Sequence, residues 1–275
     1  AQCTSGTTHR AVLHHTRKNR HPFVVVHLIV KLHFKDKANL AIYCCDSQAH
    51  TIESSQHTWK FTMKVTLIGA TGFVGSAVLS ELLQRGHQVT VLARTPAKVL
   101  AQPGLTVMQG SALDAAQVQA ASQGQDAVVS AYNPGWTEPD LYNQFLQGSR
   151  TIVEGVRASG TRRLLVVGGA GSLFVAPGVQ LVDTPQFPAE WKNGALAARD
   201  ALNELRTESS LDWTFLSPAI LLQPGKRTGQ YRLGTEAPLM NGDQPGSISV
   251  EDMAVAIVDE LETPRHVQQR FTVAN

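Results

Sequence analysis

Apolar and polar positions follow two different rhythms along this chain, and the change falls at Met63. Residues 1–62 hold one apolar run, 23–30, and otherwise show neither a helical period nor a strand-and-turn beat. From Met63 onward short apolar runs alternate with longer stretches whose apolar residues recur three and four apart. The runs predict strands at 63–68, 88–93, 105–109, 126–131, 163–167, 212–216 and 270–273. Helices are predicted at 73–85, near 96–101, and at 114–122, 140–159, 194–208 and 250–261. The longest carries apolar residues at 141, 145, 146, 152, 153 and 156, one face of a 3.6-residue repeat. Strands and helices alternating at this length give an α/β fold, a doubly wound parallel sheet with helices on both faces.

The join between the first strand and the first helix reads MKVTLIGATGFVGS, residues 63–76, with glycines evenly spaced at Gly69, Gly72 and Gly75. A strand, a glycine turn and a helix in this order form a diphosphate site. Glycines permit the tight turn and let backbone N–H groups approach, while the helix N-terminus adds partial positive charge. Thr71, Phe73 and Val74 lie within the same turn.

Composition divides the chain at the same point. Residues 1–62 contain all three cysteines, eight of the ten histidines and 8 − 3 = +5 net charge, leaving 16 − 19 = −3 for the rest. The cysteines and histidines lack CxxC or HxxxH spacing, so no metal site is expected. A transit peptide fits the first 35 residues, which contain no acid. The simpler expectation is that Met63 opens the folded body and that 1–62 is an appended extension without a designed fold. The body is mildly acidic, with no basic face for nucleic acid. No run approaches the roughly 18 apolar residues of a membrane span, and a cytoplasmic protein is expected.

In a doubly wound sheet ligands gather beyond the carboxyl ends of the strands, where the strand order reverses. Arg94 follows the second strand, nineteen residues past Gly75, where an NAD-preferring protein usually has an acid for the ribose 2′-hydroxyl. A guanidinium there suits a 2′-phosphate and points to NADP(H), with Lys98 nearby. Leu113 is placed to flank an adenine, and Asp114 to cap the next helix. Ser130, Ala131 and Tyr132 follow the fourth strand. Gly168, Gly169, Ala170, Gly171 and Ser172 follow the fifth, and Pro218 stands after the sixth. Ser172 is placed to hydrogen-bond the nicotinamide or the acceptor. Tyr132, Trp136, Phe174 and Trp191 are placed to stack on a flat acceptor. Lys226 and Arg227, on a loop after the sixth strand, are candidates for an acceptor's phosphate or carboxylate.

The GATGFVG turn, Arg94, LLVVGGAGSL (164–173), LDWTFLSPA (211–219), PGKRTGQYRLG (224–234) and the ending SISVEDMAVAIVDELETP…QRFTV resemble the atypical short-chain dehydrogenase/reductases. Within these the likeness is to the NAD(P)H-binding, NmrA-like proteins and the NADH-flavin reductase group. The resemblance covers about 63–275 and implies a Rossmann-like domain and a dinucleotide on Gly69, Thr71, Gly72, Phe73, Val74, Gly75 and Arg94. It permits two functions, a reductase or a non-catalytic NADP(H)-sensing regulator. One departure matters. The Tyr-x-x-x-Lys pair of alcohol-oxidising and sugar-epimerising relatives is missing, because none of Tyr132, Tyr142 and Tyr231 has a lysine four residues on. A flavin or quinone tolerates that loss, since it accepts hydride at an electrophilic centre and water can protonate the product. The expected partner is a small-molecule acceptor: a flavin, a quinone or an unidentified metabolite.

Overall fold

The computed structural model describes residues 62–275; the extension proposed for 1–62 lies outside them except for its last residue. The first five strands, all in the main sheet, are β1 (Lys64–Ile68), β2 (Gln88–Ala93), β3 (Leu105–Gln109), β4 (Ala127–Ser130) and β5 (Arg163–Val167). After these come a hairpin of β6 (Phe174–Ala176) and β7 (Val179–Gln180), then β8 (Asp212–Pro218), β9 (Leu221–Gln223) and β10 (Arg232–Gly234). A second hairpin, β11 (Met240–Asn241) with β12 (Gln244–Pro245), precedes β13 (Ser247–Ser249) and β14 (Gln269–Ala274). The helices are α1 (Phe73–Gln84), α2 (Ala115–Ser122), α3 (Leu141–Ser159), α4 (Ala189–Leu205) and α5 (Val250–Glu262).

Eight strands form the main sheet in the order β10-β14-β8-β5-β4-β1-β2-β3. Only β10 runs antiparallel, pairing Arg232 with Ala274. The chain winds from β1 outward to β3, then returns to place β4 on the other side of β1. The order therefore reverses between β1 and β4, and the cleft of a doubly wound fold opens there. Val65 and Leu67 of β1, Val128 and Val129 of β4, and Leu164 and Leu165 of β5 have no exposed surface, as expected of strands covered on both faces.

The sheet separates two cores. On one face Val78 and Leu82 of α1 pack with Met253, Ile257 and Leu261 of α5. On the other, Val118 of α2, Ile152 and Val156 of α3, and Leu202 of α4 pack with Trp213 and Phe215. Asp114 caps α2 by accepting from the N–H groups of Ala116 and Gln117 at 3.0 and 3.1 Å, and Ser249 caps α5 by accepting from that of Asp252.

Three local expectations are corrected. The helix near 96–101 is a single 3-10 turn, Pro96–Lys98, ending where Val99 turns extended and packs against the core. The helix predicted at 194–208 runs Ala189–Leu205. Pro188 stands just before it, where proline is tolerated at a helix start. The sixth strand extends to Pro218; Pro218 pairs with Val273 at the strand end, so that residue lies buried in the sheet rather than in the loop beyond it.

Candidate functional site

At the β1–α1 turn the three glycines do three different things. Gly69 adopts φ +87, a left-handed conformation that side chains rarely take, and a Cβ there would lie 2.3 Å from the Ala131 carbonyl oxygen. Gly75 is buried, and its absent Cβ would lie 2.1 Å from the Gly69 carbonyl oxygen. It allows α1 to start in contact with the turn. Gly72 has ordinary extended angles, φ −83 and ψ 172, and a Cβ there would meet only the Gly69 oxygen, at 3.3 Å. Neither backbone strain nor crowding calls for glycine at 72. What a side chain would cover is the open space in front of the helix.

That space faces donors. Gly72 N–H donates to the Gly69 oxygen at 3.0 Å, and the first helical bond is Ser76 N–H to the Gly72 oxygen at 2.9 Å. No side chain caps α1. The N–H groups of Phe73, Val74 and Gly75 therefore end the helix uncapped, the arrangement that receives a diphosphate. Thr71, Gly72 and Phe73 are exposed beside them. The residues present fit the group: a turn closed by two obligatory glycines, with a third left bare toward solvent.

The other predicted residues occupy the ends of neighbouring strands. Arg94 is exposed directly after β2, and among the described residues it forms no ion pair. Leu113 is 39% exposed at the loop after β3. Ser130 is buried at the end of β4, and Ala131 holds the turn through its N–H to the Ile68 oxygen at 2.9 Å. Gly168, after β5, donates its N–H to the Leu216 oxygen at 2.8 Å. A Cβ at Gly168 would lie 1.9 Å from the Phe215 ring, so packing alone requires glycine here. Gly169 is half-buried and uncrowded, its nearest neighbour being the Ala198 methyl at 3.8 Å.

Both residues expected to act chemically are otherwise engaged. Ser172 is 2% exposed; its hydroxyl accepts from the Arg270 guanidinium at 2.9 Å, which places it under the glycine turn instead of at its lip. The Tyr132 hydroxyl donates to the Gln144 carbonyl oxygen at 3.2 Å, and its ring packs on Phe145 and against the bare face of Gly148. Burial raises the Tyr132 phenol above its ordinary value; the charge of Arg94 opposes this and that of Glu138 adds to it. Arg227 is also withdrawn from the acceptor side. It grips Glu81 of α1 through two hydrogen bonds, 2.6 and 2.8 Å. Burial acts to raise the Glu81 carboxyl, but hydrogen bonds and charge from Arg227 and Arg85 outweigh it and leave the group below its ordinary value.

Three of the aromatic residues expected as ligand contacts or turn members are exposed. Phe73, at the start of α1, is 50% exposed, Trp136 62% and Trp191 55%. Trp136 lies against Gly194, and Trp191 is three residues earlier on the same helix, hence on the same face. Both indoles thus border the start of α4, Trp136 packed against Gly194 from outside the helix and Trp191 carried on its first turn. Starting that helix at 189 brings Trp191 into it, a placement the predicted start at 194 missed. Phe174, by contrast, begins the β6–β7 hairpin, with the Arg270 guanidinium 6.0 Å from its ring centre. Among the described residues no group of three metal-ligating side chains exists, and no helix is long and apolar enough to cross a membrane.

Residues 69–264 match the family model described as NAD(P)H-binding. The Bacillus subtilis protein YwnB is 38% identical over 216 residues, covering 78% of this chain and 99% of that one. A Bacteroides thetaiotaomicron structure described as a candidate epimerase is 43% identical, covers 78% of this chain and 97% of its own, and superposes with a TM-score of 0.73. A candidate NADH-flavin reductase of Streptococcus pneumoniae is 35% identical, covers 78% of this chain and 99% of its own, and gives a TM-score of 0.69.

Proposed function

Because the chain belongs to the NAD(P)H-binding family, we propose that it is an NADPH-dependent reductase that passes hydride to a flat conjugated acceptor such as a flavin or quinone. The observation that carries this reading is a bare diphosphate cradle beside exposed aromatic side chains, with the hydroxyls of Tyr132 and Ser172 both engaged in hydrogen bonds within the protein. A nicotinamide dinucleotide bound at the cradle supplies the hydride. The N–H groups of Phe73, Val74 and Gly75 hold its diphosphate, with Thr71 alongside. Arg94 offers its fork of donors to a 2′-phosphate, which favours NADPH over NADH. Leu113 flanks the adenine. Ala131, Gly168 and Gly169 present small surface along the path of the nicotinamide half, with Ser130 and Pro218 buried behind them.

The acceptor lies against Trp136 and Trp191, whose indoles offer stacking area and exclude water from one side of the ring. Catalysis here is positioning: two flat groups are held face to face, and proximity supplies most of the rate gain. Reduction of a simple ketone gains roughly 10²–10⁴-fold from a positioned proton donor, and the hydroxyls of Tyr132 and Ser172 are both held in hydrogen bonds within the protein. The candidate NADH-flavin reductase among the similar structures agrees with an acceptor of this kind. The test is NADPH oxidation followed by absorbance with FMN, FAD, riboflavin and a small quinone. Turnover with at least one is expected. Tight dinucleotide binding with no turnover on any of them would replace the reductase by a dinucleotide sensor.

A further inference from the structure

The glycine-rich turn after β5 is fastened at both ends. At its start Gly168 is bonded to Leu216 and packed flat on Phe215. At its end stands Arg270, on β14, whose side chain has no exposed surface. This guanidinium donates to both the carbonyl oxygen and the hydroxyl of Ser172, each at 2.9 Å. Gln180, from β7, donates to the same carbonyl at 3.1 Å. The other edge of the guanidinium pairs with Glu236, between β10 and β11, and Glu236 is itself held from the solvent side by Arg206 at 3.1 Å.

A buried cation in a strand otherwise built of Phe271, Thr272, Val273 and Ala274 is costly. Burial alone pulls Arg270 below its ordinary value, and Glu236 opposes that pull. A purely structural β14 is served as well by an apolar residue here, since a buried ion pair is often no more stabilising than a well-packed hydrophobic side chain. What an apolar residue cannot supply is two directed donors aimed at one residue of a neighbouring loop. The loop in question leads directly from the site: Gly168 and Gly169 are its lip and Ser172 its anchor.

We infer that Arg270 is a positioning residue, which fixes the turn 168–172 through Ser172 and thereby sets the surface against which the acceptor docks. The docking role rests on the reductase reading; the fixing of the turn does not. Arg270 touches neither the cradle nor the indoles; besides Ser172 it meets Glu236 and the Phe174 ring, and Ser172 is its contact within the turn 168–172. Its loss is expected to disturb turnover while sparing the dinucleotide, whose cradle stands four strands away on β1.

The test uses the full chain with Arg270→Met, Arg270→Lys and Ser172→Ala, and two readouts. The first is amide hydrogen exchange. Exchange across 168–176 should accelerate at least about tenfold in Arg270→Met while 69–85 stays as in the wild type. Arg270→Lys, which restores one donor, and Ser172→Ala, which removes only the hydroxyl contact, should lie between. The second is kinetic. The NADPH dissociation constant should move less than about threefold and kcat should fall about tenfold or more, as misplacement of a docking surface does. Unchanged exchange at 168–176 overturns the inference, as does a parallel loss of binding and turnover. If Arg270→Met fails to fold, the lysine and Ser172→Ala variants carry both measurements. If the wild type turns over no acceptor, the reductase reading falls, and the exchange data alone decide whether Arg270 fixes the turn.

Discussion

Replacing one glycine of the β1–α1 turn at a time should separate folding from binding. In Gly75→Ala the new methyl meets the Gly69 carbonyl oxygen at 2.1 Å and the Gly69 carbonyl carbon at 2.7 Å. Both are backbone atoms that cannot rotate away. Overpacking of this kind costs about 1–3 kcal/mol, and in a domain of this size each kcal/mol lowers Tm by roughly 2–4 °C. A fall of about 2–12 °C is expected. In Gly72→Val the backbone already sits at φ −83 and ψ 172, which valine adopts freely. The Cβ must shift only a few tenths of an ångström from the Gly69 oxygen at 3.3 Å. A less favourable helix cap is offset by the smaller entropy of the unfolded chain, leaving stability within about 1 kcal/mol of wild type. The side chain nevertheless stands in front of the free N–H groups. Loss of one charge-assisted hydrogen bond, about 1.5–3 kcal/mol, weakens dinucleotide binding by about 10- to 150-fold. Thermal denaturation and titration calorimetry on both variants read the two effects. A Gly72→Val protein that binds NADPH like the wild type, or a Gly75→Ala protein that melts with it, refutes the division of roles.

Arg94→Asp should weaken NADPH by at least about tenfold more than NADH, read as the ratio of the two dissociation constants; equal losses remove the 2′-phosphate role. Because the folded pKa of Glu81 lies below its ordinary value of 4.5, its stabilising contribution is complete above that pH and is lost as pH falls through the folded value. Urea denaturation from pH 6 down to pH 3 should show a decline that is shallower in Glu81→Gln. Gly168→Ala should lose about 1–3 kcal/mol through the clash with Phe215, and Phe215→Leu in the same chain should recover part of it. Thr272 is buried and its hydroxyl has no partner among the described residues, so Thr272→Val should raise stability by up to about 1 kcal/mol.

The framework was readable because its signals are local. Apolar runs such as LLVV in β5 and the three-and-four spacing of α3 specify their elements without reference to distant residues. The three glycines at 69, 72 and 75 likewise announce a turn whose shape follows from backbone sterics. The hairpins and the short strands β9 to β13 were not legible, since two or three residues without a period become strands only when a partner arrives. The engagement of Ser172 was equally hidden. Its sequence neighbours suggest a lip, and the residue that buries it lies 98 positions later. One trace was available: an arginine within a strand that must be covered on both sides needs a buried acceptor, and QRFTVA asks that question plainly. Arg227 shows the reverse error. A cation on a glycine-flanked loop reads as available, but Glu81, buried at 3% exposure, claims it from inside α1.

The two cores on opposite faces of the sheet set how this chain can drift. The helix that offers its N-terminus leans on α5, while the turn after β5 and Trp136 pack against α4 through Ala195, Ala198 and Gly194. Repacking one side leaves the other largely undisturbed, with the strands as a partition between them. On the proposed reading, a lineage can thus change its acceptor chiefly through the α4 side while the diphosphate turn, packed on the other core, is inherited intact.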